Sequence, residues 1–439
     1  MSKQFGRAAA ALLALCLTVP GALVARQQGG ARPAAAAAAE VLAATSEMLE
    51  EVSRMRGLKI LSPVKSGLKS RGEIEQVVVR NFDESSTPEE LEAAQKTLIA
   101  FGLAPRDFRY REFMIKLLAE QVAGFYQPKT KEFFLADWNA LDQQKTVMAH
   151  ELVHALQDQH FDLRRFEKWP RGDGDRETAI HALIEGDATA VMFNYLLKPR
   201  GMEITKLPIS LSALGEMMPA QGDKPGEEVL AAAPAAIRES LIFPYTYGAG
   251  FAQEMVKRRG WEGLTQAYAE LPQSTEQIMH FDKYLAREAP AKVALADLAP
   301  LLGPGWRRID ADVNGEFGYS LVLGEYLPRK QARAAAAGWA GDQCAVYEQA
   351  AEGRVLLAHL SAWDSEDEAH EFFGAYGART AKRYPNAPER PGAGASERAY
   401  RTSDGETYMA RRGARVLIIE GLPEGRREEL PRLAAALWR

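Results

Sequence analysis

The sequence predicts an α+β protein: a helix-rich unit with a small edge sheet, followed by a smaller α+β domain. Three observations carry this expectation. Between residues 31 and 197 the apolar residues mostly recur at helical spacing between recognisable caps. One aromatic-rich pair of runs around Gln127-Pro128-Lys129-Thr130-Lys131 reads instead as a β-hairpin, and beyond Gly338 the texture changes to short strand-like runs. The 439 residues also exceed the roughly 300 at which single cores stop growing, so two folding units are expected.

Residues 1–25 combine Lys3 and Arg7 with the apolar run AAAALLALCLTV, Pro20-Gly21 and a small residue at Ala25, the pattern of a secretory signal peptide. The run is shorter than the roughly 20 residues of a permanent span. An exported chain, periplasmic or secreted, with no stable membrane span after signal removal is therefore expected. Leu15 stands before Cys16 where a lipoprotein acceptor wants a small residue, which argues against lipid anchoring there. Without Cys16, Cys344 is the remaining thiol, and one thiol forms no internal bridge.

Residues 26–80 form an amino-terminal helical segment, with an alanine-rich, amphipathic stretch over 31–56 that stops at Gly57. The next unit is expected over 81–335. In it Thr87-Pro88-Glu89-Glu90 supplies an N-cap, a first-turn proline and a capping-box glutamate for a helix ending near Gly102. A second helix runs to about Val122, then the hairpin VAGFYQPKTKEFFLADW, then the helix that carries the chemistry. Another helix spans about 176–197, and residues 201–236, rich in Pro, Gly and Met, read as loop-like, in the manner of a lid. The last domain, 336–439, holds the strands DQCAVYEQ, GRVLLAHLSAW, ERAYRT, ETYMARRG and RVLIIEG, a capped helix from Ser365, a hairpin turn at Asp404-Gly405 and a final helix near Arg426.

Composition excludes some partners. The net charge of -5 shows no basic excess, no glycine-rich phosphate loop is present, and the basic stretch RDFRYREF reads as a solvated helix face. No nucleic-acid partner is expected. With 46% hydrophobic residues the chain can bury real cores.

Chemistry concentrates at residues 150–154, HELVH, inside KTVMAHELVHALQDQ, where Val147, Leu152, Val153 and Leu156 keep helical spacing. His150 and His154 lie about 40° apart around a helix and one turn apart along it, so both imidazoles reach one ion. Glu151 follows the first ligand without sharing its position, and is placed to act as general base on a water activated by zinc. A catalytic zinc usually takes three protein ligands. His160 falls at the third-histidine spacing of the HExxHxxGxxH pattern, but Gln157 occupies its glycine position, and a continuing helix carries His160 about 15 Å along the axis. Glu185, in the helical ETAIHALIEGDATAVMF, is the stronger third ligand, completing a His2Glu set.

HELVH followed by an EGDA helix resembles the gluzincins, the thermolysin-like zinc peptidases, over roughly residues 120–200, with a looser likeness toward residue 290. The resemblance implies a gluzincin-like catalytic domain, Glu185 as third zinc ligand beside His150 and His154, and Glu151 as base. It also implies that the edge strand of the hairpin pairs with extended substrate. His181 and Asp187 are candidates to steady a ligand imidazole, with packing or solvent exposure the favoured reading of each. Asp187 lies about 200° around the helix from Glu185, so both cannot face the ion. An oxyanion donor is also required. Tyr245 and Tyr247 in FPYTYGAGF, placed just before a helix, and His280 at the end of STEQIMH are the candidates, with Tyr247 and His280 preferred. His359 and His370 read as structural. The expected function is zinc-dependent hydrolysis of peptide bonds in a peptide or protein substrate. The alternative is a non-catalytic, zinc-stabilised exported binding or assembly protein, against which the presence of Glu151 argues.

Overall fold

A computed structural model describes residues 34–166, 172–217, 227–389 and 394–439. The expected signal peptide, with Cys16, lies outside the described residues, as do positions 218–226 of the expected lid. Among the described residues no helix is long and apolar enough to cross a membrane.

The chain opens with helix α1 (Ala34–Arg56), strand β1 (Lys65–Lys69), α2 (Arg71–Ser85), α3 (Pro88–Phe101) and α4 (Tyr110–Gln121). The expected boundaries hold here for local reasons. Thr87 accepts from the Glu90 backbone while Glu90 reaches back, and Gly102 closes α3 in the left-handed region at φ 74°. Strands β2 (Gly124–Gln127) and β3 (Glu132–Ala136) form the expected hairpin, and α5 (Lys145–Phe161) and α6 (Gly174–Leu197) follow. Next come α7 (Leu211–Met217), α8 (Glu228–Ala231), α9 (Ala235–Ala267), α10 (Thr275–Met279), α11 (Phe281–Leu285) and α12 (Ala299–Leu302). The rest comprises β4 (Trp306–Asp312), α13 (Gly315–Gly324), α14 (Arg329–Ala336), β5 (Trp339–Gln349), β6 (Arg354–Trp363), α15 (Glu366–Arg383), β7 (Glu397–Thr402), β8 (Gly405–Arg412), β9 (Arg415–Leu422) and α16 (Leu430–Leu437).

Two sheets result. The smaller has the order β1-β3-β2, with β1 parallel and β2 antiparallel to β3, so β2 is an edge strand. The larger is an antiparallel six-stranded sheet, β4-β5-β6-β9-β8-β7. Its alternation sorts side chains cleanly. Val346, Leu357, Val416 and Ile418 join Trp339, Trp363 and Phe372 in the main core, while Ala345, Tyr347, Leu356, Ala358, Leu417 and Ile419 pack with Leu430, Leu433 and Leu437 of α16.

The sheet starts earlier than the expected boundary at residue 336. Strand β4 pairs with β5 through Trp306↔Gln349 to Asp312↔Cys344, and the main core runs unbroken from α5 and α6 to Trp339 and Phe372. Its sequence WRRIDAD is charged because β4 is a sheet edge, where charge blocks further pairing, so it carries little of the apolar alternation by which strands are read.

Candidate metal centre

Helices α5 and α6 are buried nearly all round, from Met148 to Asp158 and from Ile180 to Met192. A helix of that kind belongs in a core, and any polar side chain on it needs a partner. The pair meets as the sequence suggests, side by side.

His150, His154 and Glu185 converge at the contact. The two imidazole Nε2 atoms lie 3.0 Å apart, and Glu185 Oε2 lies 3.1 Å from that of His150 and 3.4 Å from that of His154. Three donors around a tetrahedral zinc at about 2.05 Å are separated by about 3.3 Å, so this triangle has the size of one coordination face. Its donor set, two imidazoles and one carboxylate, matches a catalytic zinc. All three side chains are buried.

Charge at the cluster follows from burial and proximity. Burial alone would raise Glu185, but the charge of His154 and bonds from His150, His154 and His181 hold its carboxyl well below the usual range. Burial pushes His150 down. It opposes protonation of His154 as well, yet facing Glu185 raises that imidazole to about 9. Protonation of His154 and metal binding at the cluster therefore compete for the same nitrogen.

A ring of further contacts holds the donors. Of the two readings favoured for His181, packing rather than exposure holds: it is buried, with Nε2 3.3 Å from Glu185 Oε1. Asp187 is likewise not exposed: it is fully buried, accepting from Arg56 Nε at 2.5 Å, from Tyr268 Oη at 3.0 Å and from Gln157 Nε2 at 3.1 Å. Gln157 Oε1 in turn lies 2.8 Å from His154 Nδ1. Nδ1 of His150 is buried and has no hydrogen-bond partner among the described residues.

Glu151 stands outside the donor triangle, with its Oε2 accepting from the Tyr126 backbone N–H at 2.9 Å. Tyr126 Oη donates to Asp158 at 2.9 Å. Residues 151 and 158 are two helical turns apart on one face, so strand β2 is pinned along α5 at two points.

The other expected site residues are placed elsewhere. His160 is exposed and donates Nε2–H to the Lys59 carbonyl at 2.8 Å, because α5 continues through Phe161 and carries it past the cluster. Tyr247 does not join the cluster: its hydroxyl donates to Glu216 at 2.6 Å and its ring stacks on Phe243. His280 is likewise engaged elsewhere, 2.8 Å from Glu316, whose hydrogen bond raises its pKa against the effect of burial. Tyr245 is the tyrosine beside the cluster, its ring 5.9 Å from that of His150.

The choice between the two tyrosines turns on helix geometry. FPYTYGAGF lies not before a helix but inside α9, which runs through Pro244. Residues 245 and 247 then point about 200° apart, so one faces α5 and the other turns away. Two glycines permit this approach. A Cβ on Gly186 would stand 2.1 Å from the backbone of Gly248, and one on Gly248 would stand 2.1 Å from Ala182 O, so α6 and α9 touch through their backbones. The EGDA and YGAG pairs were the signal available in the sequence for that contact.

A second acidic group, Glu276, Glu288 and Asp364, is already filled: Lys283 Nζ lies 2.7, 2.7 and 2.6 Å from the three. His359 is buried between the hydroxyls of Tyr319 and Tyr376, and His370 is exposed, in keeping with structural roles for both.

A family model described as Domain of unknown function (DUF8575) matches residues 302–430, a span that opens just before β4 and contains none of the metal-cluster residues. No curated protein and no solved structure matches the chain.

Proposed function

We propose that this chain is a zinc-dependent peptidase similar to the gluzincins, hydrolysing peptide bonds in extended polypeptide outside the cytoplasm. The observation that carries the reading is the triangle of His150, His154 and Glu185 donor atoms, with sides of 3.0, 3.1 and 3.4 Å. When bound there, zinc supplies Lewis acidity that lowers the pKa of water and polarises a carbonyl.

The chain's own residues do the rest. Glu151, adjacent to His150 but outside the triangle, takes the proton of the attacking water and returns it to the departing amine. The Tyr126 N–H orients that carboxylate. Tyr245, beside His150, is the side chain placed to hold the negative charge that develops on the carbonyl oxygen. Strand β2, held against α5 through Tyr126, keeps the Glu151 carboxylate in place. Export rests on the pattern of residues 1–25.

Metal analysis paired with a cleavage profile on an unstructured polypeptide tests the proposal. The mature chain is expected to hold about one zinc, lose hydrolysis to a chelator and regain it with zinc. Undiminished hydrolysis after verified metal removal contradicts it.

A further inference from the structure

The contacts around His154 reach far from the cluster, and their directions can be worked out atom by atom. The Gln157 amide has one orientation that satisfies its surroundings. Its nitrogen faces two acceptors, Ile184 O at 3.0 Å and Asp187 Oδ2 at 3.1 Å. Turning the amide over would set an oxygen against both. Oε1 is therefore the atom that faces His154, so Nδ1 must be its donor. A neutral His154 then has its lone pair on Nε2, the nitrogen that points at His150 and Glu185.

The amide is held in turn by a buried ion pair. Asp187 accepts from Arg56 and Tyr268, and Arg56 also donates to Thr265 Oγ1 at 3.0 Å and to the Trp261 carbonyl at 3.2 Å. Both charged side chains are wholly buried. Arg56 is the last residue of α1, so the chain of bonds crosses from the amino-terminal helix to α6 and then α5.

We propose that Gln157, held by the Arg56–Asp187 pair, is a positioning residue that fixes the metal-binding tautomer of His154, making helix α1 part of the metal centre. The inference rests on the zinc reading above and deepens it. It assigns metal retention to a residue 131 positions from Asp187 in sequence that touches no donor atom. Polar partners that orient ligand histidines typically change metal affinity by about 10- to 100-fold when removed.

The test uses the full mature chain loaded with zinc and measures release to a chelator, together with nitrogen-15 NMR of the histidine side chains. Wild type is expected to show His154 protonated at Nδ1, with that proton protected from exchange. Gln157→Leu, close in volume but without an amide, is expected to release zinc about 10- to 100-fold faster and to lose that protection. Arg56→Met should accelerate release in the same direction by a smaller factor. A wild-type His154 protonated at Nε2 overturns the inference without any variant, which covers a Gln157 variant that fails to fold. Zinc uptake by wild type with unchanged release from Gln157→Leu overturns this inference alone. A wild-type chain that takes up no zinc overturns both it and the proposed function.

Discussion

Two groups of buried histidines make opposite use of the same side chain. In the six-stranded sheet His359 lies between two hydroxyls, with Tyr319 Oη 3.0 Å from Nδ1 and Tyr376 Oη 3.3 Å from Nε2. Both nitrogens are served, and burial pushes the imidazole down to about 3, so it stays neutral. Between α5 and α6, by contrast, two imidazoles point Nε2 at one another beside a carboxylate. Two ring nitrogens that face one another at 3.0 Å need a proton or a cation between them. The difference separates a histidine that completes a fold from a pair that calls for a ligand: the criterion is where the ring nitrogens point, since both groups are equally buried.

The largest expected effect comes from the carboxylate that distinguishes the two groups. Glu185→Ala should abolish stoichiometric zinc binding and hydrolysis with it, whereas His160→Ala, at an exposed helix end, should leave zinc content unchanged. The reverse result would replace the donor set inferred here. Next in size is the contrast within α9. Tyr245→Phe should lower kcat by up to the roughly 10²- to 10³-fold typical of a lost oxyanion donor, and Tyr247→Phe should leave kcat near wild type. Equal effects in steady-state kinetics would mean that Tyr245 has no such role.

The smallest effect sharpens the other side of the comparison. The folded pKa of His359 lies below its ordinary value of 6.5, so the unfolded chain binds the proton more readily between pH 6.5 and 3. The stability owed to neutral His359 is present above pH 6.5 and lost as pH falls toward 3, by at most about 1.4 kcal/mol per unit. His359→Gln should therefore show a shallower loss of thermal stability between pH 6.5 and 4.5 than wild type. Parallel profiles for the two proteins would show that His359 does not stay neutral.

The pairing of His150 with His154 was legible because one helix sets their spacing, and Glu185 was suggested by an acid within the apolar stretch of α6. What surrounds the ligands was harder to read. Gln157 was informative only as a missing glycine, although it bonds His154; its role depends on Asp187 and Arg56, which are distant in sequence. Pro244 reads locally as a boundary, since proline removes a backbone donor, and this hides that Tyr245 and Tyr247 lie on opposite faces of one helix, with Tyr245 the one beside His150. At fold level the hairpin, caps and late strands were legible from turn residues and alternation. Strand β4 was not, because an edge strand hides its pattern behind charge.

Glu151→Gln tests the central claim most directly, since it keeps the side chain's shape while removing the base. The variant is expected to keep wild-type zinc content and fold, with peptide hydrolysis reduced by at least the roughly 10²- to 10⁴-fold typical of a lost general base. Hydrolysis at the wild-type rate by a zinc-loaded variant would contradict the mechanism, and loss of zinc from it would show that Glu151 is a ligand.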